Sequence, residues 1–376
     1  MIKMLPKRGY LLLITGFFIG LLVFAGLSRI YQGSQATFVG EKPESIELVF
    51  LYTSEKDSWI KAVKPLYEKW FYKRHGIKVN LVLYVTGTHE SVDLILQGSV
   101  KPHVWSPASS IWIPFFEKKW KEMHGGETIV SEWYPLVLSP VVLVGWEDLV
   151  EKYNIKGYRD LYLLDRQGID FKYGHPDPML SNGGVIALLM EFCAALNKTP
   201  DRLTPNDLTS KEAIEFVKTI ESHAVYYGKS TGFFGSWAAD NGPEAISFFT
   251  VYENVVIENY PKAKAKWGQG IVAVYPKMGV VYSDHPLVIL NASWVGVWER
   301  LAAIELLNFL LKPEIQEMAV EHGFRPVNPL VSLDGEVFGP EHGVLYKVPV
   351  LALKPPSGEV METLFEVWVL VRNPGV

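Results

Sequence analysis

The feature that most constrains this chain is a run from Gly9 to Ser28 without a single charge, bounded by Arg8 and Arg29. Its length is close to the ~20 residues that carry a helix across a bilayer. Lys3, Lys7 and Arg8 precede the run and only Arg29 follows at once. That asymmetry keeps the N-terminus cytoplasmic and sends the remaining chain outside. A cleaved signal peptide is the competing reading, but its apolar core usually spans only ~7 to 15 residues, and Phe24-Ala25-Gly26-Leu27-Ser28 is an indifferent cleavage site. The expectation is a cytoplasmic stub over 1–8 and an uncleaved transmembrane anchor over 9–28, so that the lipid bilayer is the first partner. The only cysteine is Cys193, far downstream, which rules out both a lipid-bearing cysteine after the anchor and an internal disulfide.

The 376 residues, 48% of them hydrophobic, exceed the usual size of one core and favour two lobes. Lysine and arginine number 36 against 41 acidic residues, a formal charge of −5 with no block of like charge. Nothing there attracts a phosphate backbone, so nucleic acid is not expected as a partner. Cys193 sits among Leu189, Phe192 and Ala194 and reads as a small buried hydrophobe.

Residues 29–44 mix Gly, Ser, Gln and Pro without apolar periodicity and suit a linker. Ile46 to Tyr52 is a nearly continuous apolar run, the pattern of a strand buried on both faces of a mostly parallel sheet. Trp59, Val63, Leu66 and Trp70 then recur at helical spacing, with Pro65 predicting a kink or early break and Gly76 a stop. Ile77 to Val85 completes a βαβ unit, and the alternation continues with a helix from Thr88, a short strand at His103 to Trp105 and a helix from Ser110. Leu136 to Trp146, with Pro140 near its start, reads as a first crossover into a second lobe. Helices are expected there at Gly183–Leu196, at Ser210–Glu221 after a capping box Thr209-x-x-Glu212, and at Pro243–Ile257. Strands at Ile271–Pro276 and Leu287–Leu290 flank Asp284-His285-Pro286, a second crossover back to the first lobe. Helices at Glu299–Leu311, Pro313–Glu321 and Glu359–Leu370 follow. The expected fold class is α/β, two doubly wound lobes joined by two hinge crossovers. Residues 45–138 and 279–376 make the first lobe and 139–278 the second.

Catalytic patterns fail on inspection. Gly228-Lys229-Ser230-Thr231-Gly232 matches the G-x-S-x-G nucleophile elbow, which needs a strand before the serine and a helix after it. A helix ending near His223 and the run Phe233-Phe234-Gly235 disagree with that context, so a serine hydrolase using Ser230 is the weaker alternative. Nine histidines are scattered without an H-E-x-x-H pair, and neither a metal nor a cofactor is expected.

In open α/β sheets ligands bind beyond the carboxyl ends of strands. Those segments are Tyr52-Thr53-Ser54, Thr86-Gly87-Thr88 and Trp105-Ser106-Pro107-Ala108-Ser109, all rich in hydroxyls. Ser181-Asn182-Gly183-Gly184 opens an apolar helix in the other lobe, where free backbone N–H groups favour anions, although plain capping explains the same residues. Thr53, Ser54, Thr88, Ser106 and Ser109 facing Ser181 and Asn182 would make a neutral cage of donors suited to an oxyanion. Carbohydrate is the rival ligand, with Trp105, Trp237 and Tyr252 as stacking faces.

The chain resembles the bacterial extracellular solute-binding proteins of the type 2 periplasmic-binding fold. The resemblance rests on Val104-Trp105-Ser106-Pro107-Ala108-Ser109, Ser139-Pro140-Val141-Val142, Gly174-His175-x-Asp177-Pro178, Tyr252-Glu253-Asn254, Tyr275-Pro276-Lys277, Asp284-His285-Pro286 and Gly323-Phe324-Arg325-Pro326, in one collinear order. It implies two α/β lobes, a small-molecule solute held in their cleft without chemistry, and an ABC permease as membrane partner. It adds Tyr252 and Glu253 to the candidate ligand-binding residues. Glu253 would oppose an anion unless turned away, because a buried carboxylate beside an anion costs several kcal/mol, of the order of an unpaired buried charge. A surface sensor of the same fold without a permease is a further alternative.

Overall fold

The computed structural model describes residues 42–372. The anchor expected over 9–28 lies outside the described residues. Among the described residues no helix is long and apolar enough to cross a membrane.

Twelve strands lie among the described residues: β1 (Ser45–Thr53), β2 (Lys78–Thr86), β3 (Val104–Ser106), β4 (Val130–Pro135), β5 (Val137–Trp146), β6 (Tyr173–Pro176), β7 (Ala224–Gly228), β8 (Phe248–Tyr252), β9 (Ile271–Val274), β10 (Tyr282–Ser283), β11 (Pro286–Leu290) and β12 (Arg325–Pro326). They form two mixed sheets. The first runs β2-β1-β3-β11-β4, with β2, β1 and β3 parallel and β11 antiparallel to both its neighbours. In the second, β8-β6-β7 are parallel and the long β5 runs antiparallel to β8, β9, β10 and β12.

Period-two burial decides the faces of the first sheet. Leu48, Phe50 and Tyr52 pack under the helices Asp57–His75, Val297–Leu310 and Pro313–Glu321, while Leu51 faces the helices Thr88–Leu96 and Trp112–Met123. The helix after β1 runs unbroken through Pro65 to His75, where Gly76 at φ 62° ends it. Its buried face is Trp59, Ile60, Val63, Tyr67 and Phe71, rotated from the expected stripe, and Leu66 is 42% exposed. Burial of five large side chains, each of the order of 1.5–3 kcal/mol, outweighs the hydrogen bond that the proline removes.

The chain passes between sheets at Leu136, between β4 and β5, and again at Asp284 and His285, between β10 and β11. A third crossing departs from the expected two: after Pro313–Glu321 the chain returns to pair Arg325 and Pro326 with Leu138 and Val137 of β5. From there it runs along the second lobe, and the final helix Gly358–Arg372 packs on the helices Asn182–Leu196 and Lys211–Glu221 while Phe365 meets Trp112 and Phe115, and Glu362 pairs with Lys118, of the first lobe. That helix departs from the expected placement of 279–376 in the first lobe.

Three local readings are also corrected. The stretch read as a helix from Pro243 is β8, because Phe248-Phe249-Thr250-Val251-Tyr252 is wholly buried and rich in aromatic and β-branched residues; the helix begins only at Glu253. Ser210, not Thr209, caps Lys211–Glu221, its hydroxyl accepting from Ala213 N. The Gly228–Gly232 segment does join a strand, β7, to a helix, Thr231–Asn241.

The helix Asn182–Leu196 is almost entirely buried and, after its first residue, apolar but for Glu191. Its first turn lies against the end of β6, and a Cβ on Gly184 would sit 1.9 Å from Pro176 O and 2.7 Å from Pro178 N. Gly184→Ala is therefore expected to lower stability by about 1–3 kcal/mol or more, the cost of overpacking against rigid backbone. Urea denaturation checks this, and an unchanged midpoint would refute the tight approach.

Candidate ligand-binding site

The hydroxyl-rich strand ends and helix starts meet between the two sheets. Ser54 opens a single 3-10 turn after β1, and its Oγ lies 2.8 Å from Oγ of Ser230, which precedes the helix Thr231–Asn241 of the other lobe. Ser181 Oγ lies 3.0 Å from Thr231 Oγ1. Asn182 joins three elements: its Nδ2 donates to Tyr252 Oη at 2.9 Å and Ser283 Oγ at 3.0 Å, and its Oδ1 accepts from Trp112 Nε1 of the first lobe at 2.9 Å. Backbone closes on backbone beside them, His89 N donating to Leu180 O at 3.1 Å. Gly87 allows that approach, since a Cβ there would come within 2.5 Å of Leu180 O.

Beneath this layer lies a charged group that the sequence did not announce. Lys56 is fully buried, and its Nζ donates to Thr53 Oγ1 at 2.6 Å, to Glu55 Oε1 at 3.0 Å and to Pro107 O at 3.4 Å. Thr53 in turn donates to Glu55. His285, on the second crossing, brings Nδ1 to 3.1 Å from Glu55 Oε1 and 3.3 Å from Lys56 Nζ, and its backbone N–H donates to Ala108 O at 3.1 Å. His285 holds φ 39°, a positive value that only a few per cent of non-glycine residues adopt. Burial alone would raise the Glu55 carboxyl, but the Lys56 charge and the bonds from His285 and Thr53 hold it well below the usual range. Burial, followed by repulsion from Lys56, lowers the His285 imidazole against the pull of Glu55. Burial likewise lowers the Lys56 ammonium, with Glu55 opposing. Two buried polar atoms here, Ser106 Oγ and His285 Nε2, have no hydrogen-bond partner among the described residues.

The profile of the family described as bacterial extracellular solute-binding protein matches residues 56–325, well over half of the chain. The chain belongs to that family. Its members bind solutes and are not enzymes. No curated protein sequence matches this one. Among solved structures, a periplasmic thiamin binding protein shares the fold at a TM-score of 0.62 and 14% identity, over 89% of this chain and 99% of that one. A ferric binding protein from Campylobacter jejuni gives 0.56 at 14%, over 87% and 98%. The periplasmic binding protein AfuA from Actinobacillus pleuropneumoniae, with fructose-6-phosphate bound, gives 0.56 at 13%, over 87% and 97%.

In this solute-binding protein all nine candidate residues are buried. Ser54, Ser181, Asn182 and Tyr252 belong to the interlobe layer, and Thr53 to the charged group below it. Ser106 ends β3, and Ser109 lies on the loop after it that Lys56 and His285 touch. Thr88 Oγ1 accepts from Ala108 N at 3.2 Å and braces that loop from the next strand end. Glu253 does not join them, because Arg325 clasps its carboxylate at 2.7 and 2.9 Å and Tyr275 donates to it. Trp105 lies in the core against Phe116 and donates to Ser91 Oγ at 2.8 Å. Ser230, despite its strand–turn–helix setting, has the Ser54 hydroxyl as partner, which is no general base.

The Lys56–Glu55 pair makes a thermodynamic cycle available. Lys56→Met leaves Glu55 buried without its closest counter-charge and is expected to cost about 3–5 kcal/mol, whereas Lys56→Met with Glu55→Gln recovers most of it. A double-variant loss equal to the sum of the two single-variant losses would show that the pair is not coupled. Because the folded pKa of His285 lies below its ordinary 6.5, the unfolded chain takes up the proton first as pH falls. Its contribution to stability is then full above about pH 6.5 and drains away on acidification. His285→Asn should flatten the stability profile between about pH 7 and 5, and a slope equal to that of wild type counts against the assignment.

Proposed function

We propose that the protein is an extracytoplasmic receptor that captures a small oxyanion between its lobes and delivers it to an ABC permease, with residues 9–28 tethering it to the membrane. The observation that carries this reading is the meeting of hydroxyl and amide donors from both lobes above a buried lysine, beside two polar atoms, Ser106 Oγ and His285 Nε2, that lack partners. An unsatisfied buried polar atom costs about 1–3 kcal/mol, which an oxygen-rich ligand would relieve. Each hydroxyl that bonds another across the lobes is also a donor that can turn to an anionic oxygen when the lobes part. The objection raised by Glu253 falls away, since Arg325 neutralises that carboxylate. AfuA binding a sugar phosphate agrees with an oxyanion in this fold. The sugar alternative loses support, because Trp105 packs inside the first lobe.

Calorimetry and thermal shift on the full chain with phosphate, sulfate, molybdate, tungstate and fructose-6-phosphate test the reading, with glucose and maltose as neutral controls. At least one oxyanion is expected to bind and raise Tm. Ser230→Ala and Asn182→Ala are expected to weaken it about tenfold or more, the value of one charge-assisted hydrogen bond. Binding of a neutral sugar alone, or of nothing in the panel, would overturn the proposal.

A further inference from the structure

Inside the second lobe, away from the interlobe layer, three side chains converge that no local sequence pattern links. His175 stands on β6, Glu191 midway along the helix Asn182–Leu196, and Glu221 at the end of Lys211–Glu221. His175 and Glu191 are fully buried and Glu221 nearly so. One candidate ligand atom from each lies within 4.8 Å of the other two.

The hydrogen bonds around this group aim its acceptors inward. His175 Nδ1 lies 2.7 Å from Pro176 O, and since a carbonyl only accepts, Nδ1 carries the hydrogen. Nε2 lies 2.8 Å from Glu221 Oε1, an ion-pair distance when the ring carries both protons, and although burial opposes it the Glu221 charge raises the imidazole. Tyr227 donates to the other Glu221 oxygen at 2.6 Å, and Tyr173 donates to Glu191 Oε1 at 2.8 Å. Glu191 Oε2 is buried with no hydrogen-bond partner among the described residues. His175 Nε2 and two carboxyl groups thus crowd together in a water-poor interior, where burial pushes the Glu191 carboxyl well up and positive charge, from protons or from a cation, must lie between them.

We propose that His175, Glu191 and Glu221 hold a divalent transition cation, Zn2+ foremost, as a structural site of the second lobe. An imidazole with two carboxylates suits Zn2+, and its charge balances both carboxylates at once. The supporting bonds follow the usual second layer of such a site: a ring N–H on a backbone carbonyl fixes the histidine, and phenols fix the outer carboxylate oxygens. The final helix closes over it. The Trp368 ring lies 5.6 Å from that of His175, and Trp368 Nε1 and Arg372 both donate to Asp177, at 3.3 and 2.6 Å. The ion is therefore taken up as the chain folds and leaves only when that helix lifts.

The test uses the full chain purified from zinc-replete medium and analysed by mass spectrometry for metal content. About one Zn2+ per chain is expected, and chelation under mild denaturant should lower Tm until Zn2+ is restored. Glu191→Gln, which keeps the shape, and His175→Ala should each weaken Zn2+ binding by about tenfold or more. Co2+ substituted into wild type should show the visible bands of a low-coordinate site. Ser230→Ala should keep its zinc, which separates this site from the interlobe reading. Wild-type protein without metal whose Tm ignores both Zn2+ and Mn2+ would overturn the proposal and leave shared protons as what binds the three groups. Metal content unchanged in both variants would overturn it equally, and if neither variant folds, the chelation result on wild type decides.

Discussion

The architecture turns on one buried ammonium. Lys56 has left water completely, and in an interior of low polarity that is tolerable only because Glu55, Thr53, Pro107 and His285 surround it. These partners come from the end of β1, the loop after β3 and the crossing into β11, so a single charge pins the carboxyl edge of the first sheet to the segment that leads back from the second lobe. The interlobe hydroxyls rest on that floor. Their positions follow from the strand ends, and the strand ends are held by the pair beneath them.

Much of this was legible in the sequence. The apolar run of β1, the alternation through the first lobe and the crossings at Leu136 and at Asp284-His285 follow from burial pattern and turn residues. The interlobe hydroxyls were found by asking what lies beyond the strand ends. Lys56 and His285 escaped because locally they look like something else, the first turn of a helix and a turn before proline. Burial of a lysine is a tertiary fact, and no spacing announces it. β8 was misread because Pro243 and a few apolar residues imitate a helix start, while the wholly buried run that follows obeys strand chemistry. Glu253 pairs with Arg325 across 72 positions, and the His175 group spans three elements, so neither leaves a local trace.

The two cores are unequal. One lies under the first sheet alone, between β1 and the helices Asp57–His75 and Val297–Leu310. The other starts on the opposite face of that sheet, at Leu51 and Trp105, and continues into the second lobe through Trp112 and the helix Asn182–Leu196. β5 belongs to both, with Val137 in the first and Val141 to Trp146 in the second. The strand itself is therefore gripped at each end, and the short crossings link the lobes.

The placement of the last helix bears on how such a chain matures. Arg372 reaches Asp177 across 195 positions, and Trp368 packs on His175 and donates to the same Asp177. Contacts of that separation form late, because a long loop must first be closed. The second lobe therefore stays unsealed until the chain through Arg372 is free to fold. Until the segment Gly358–Arg372 docks, Asp177 lacks both of these donors.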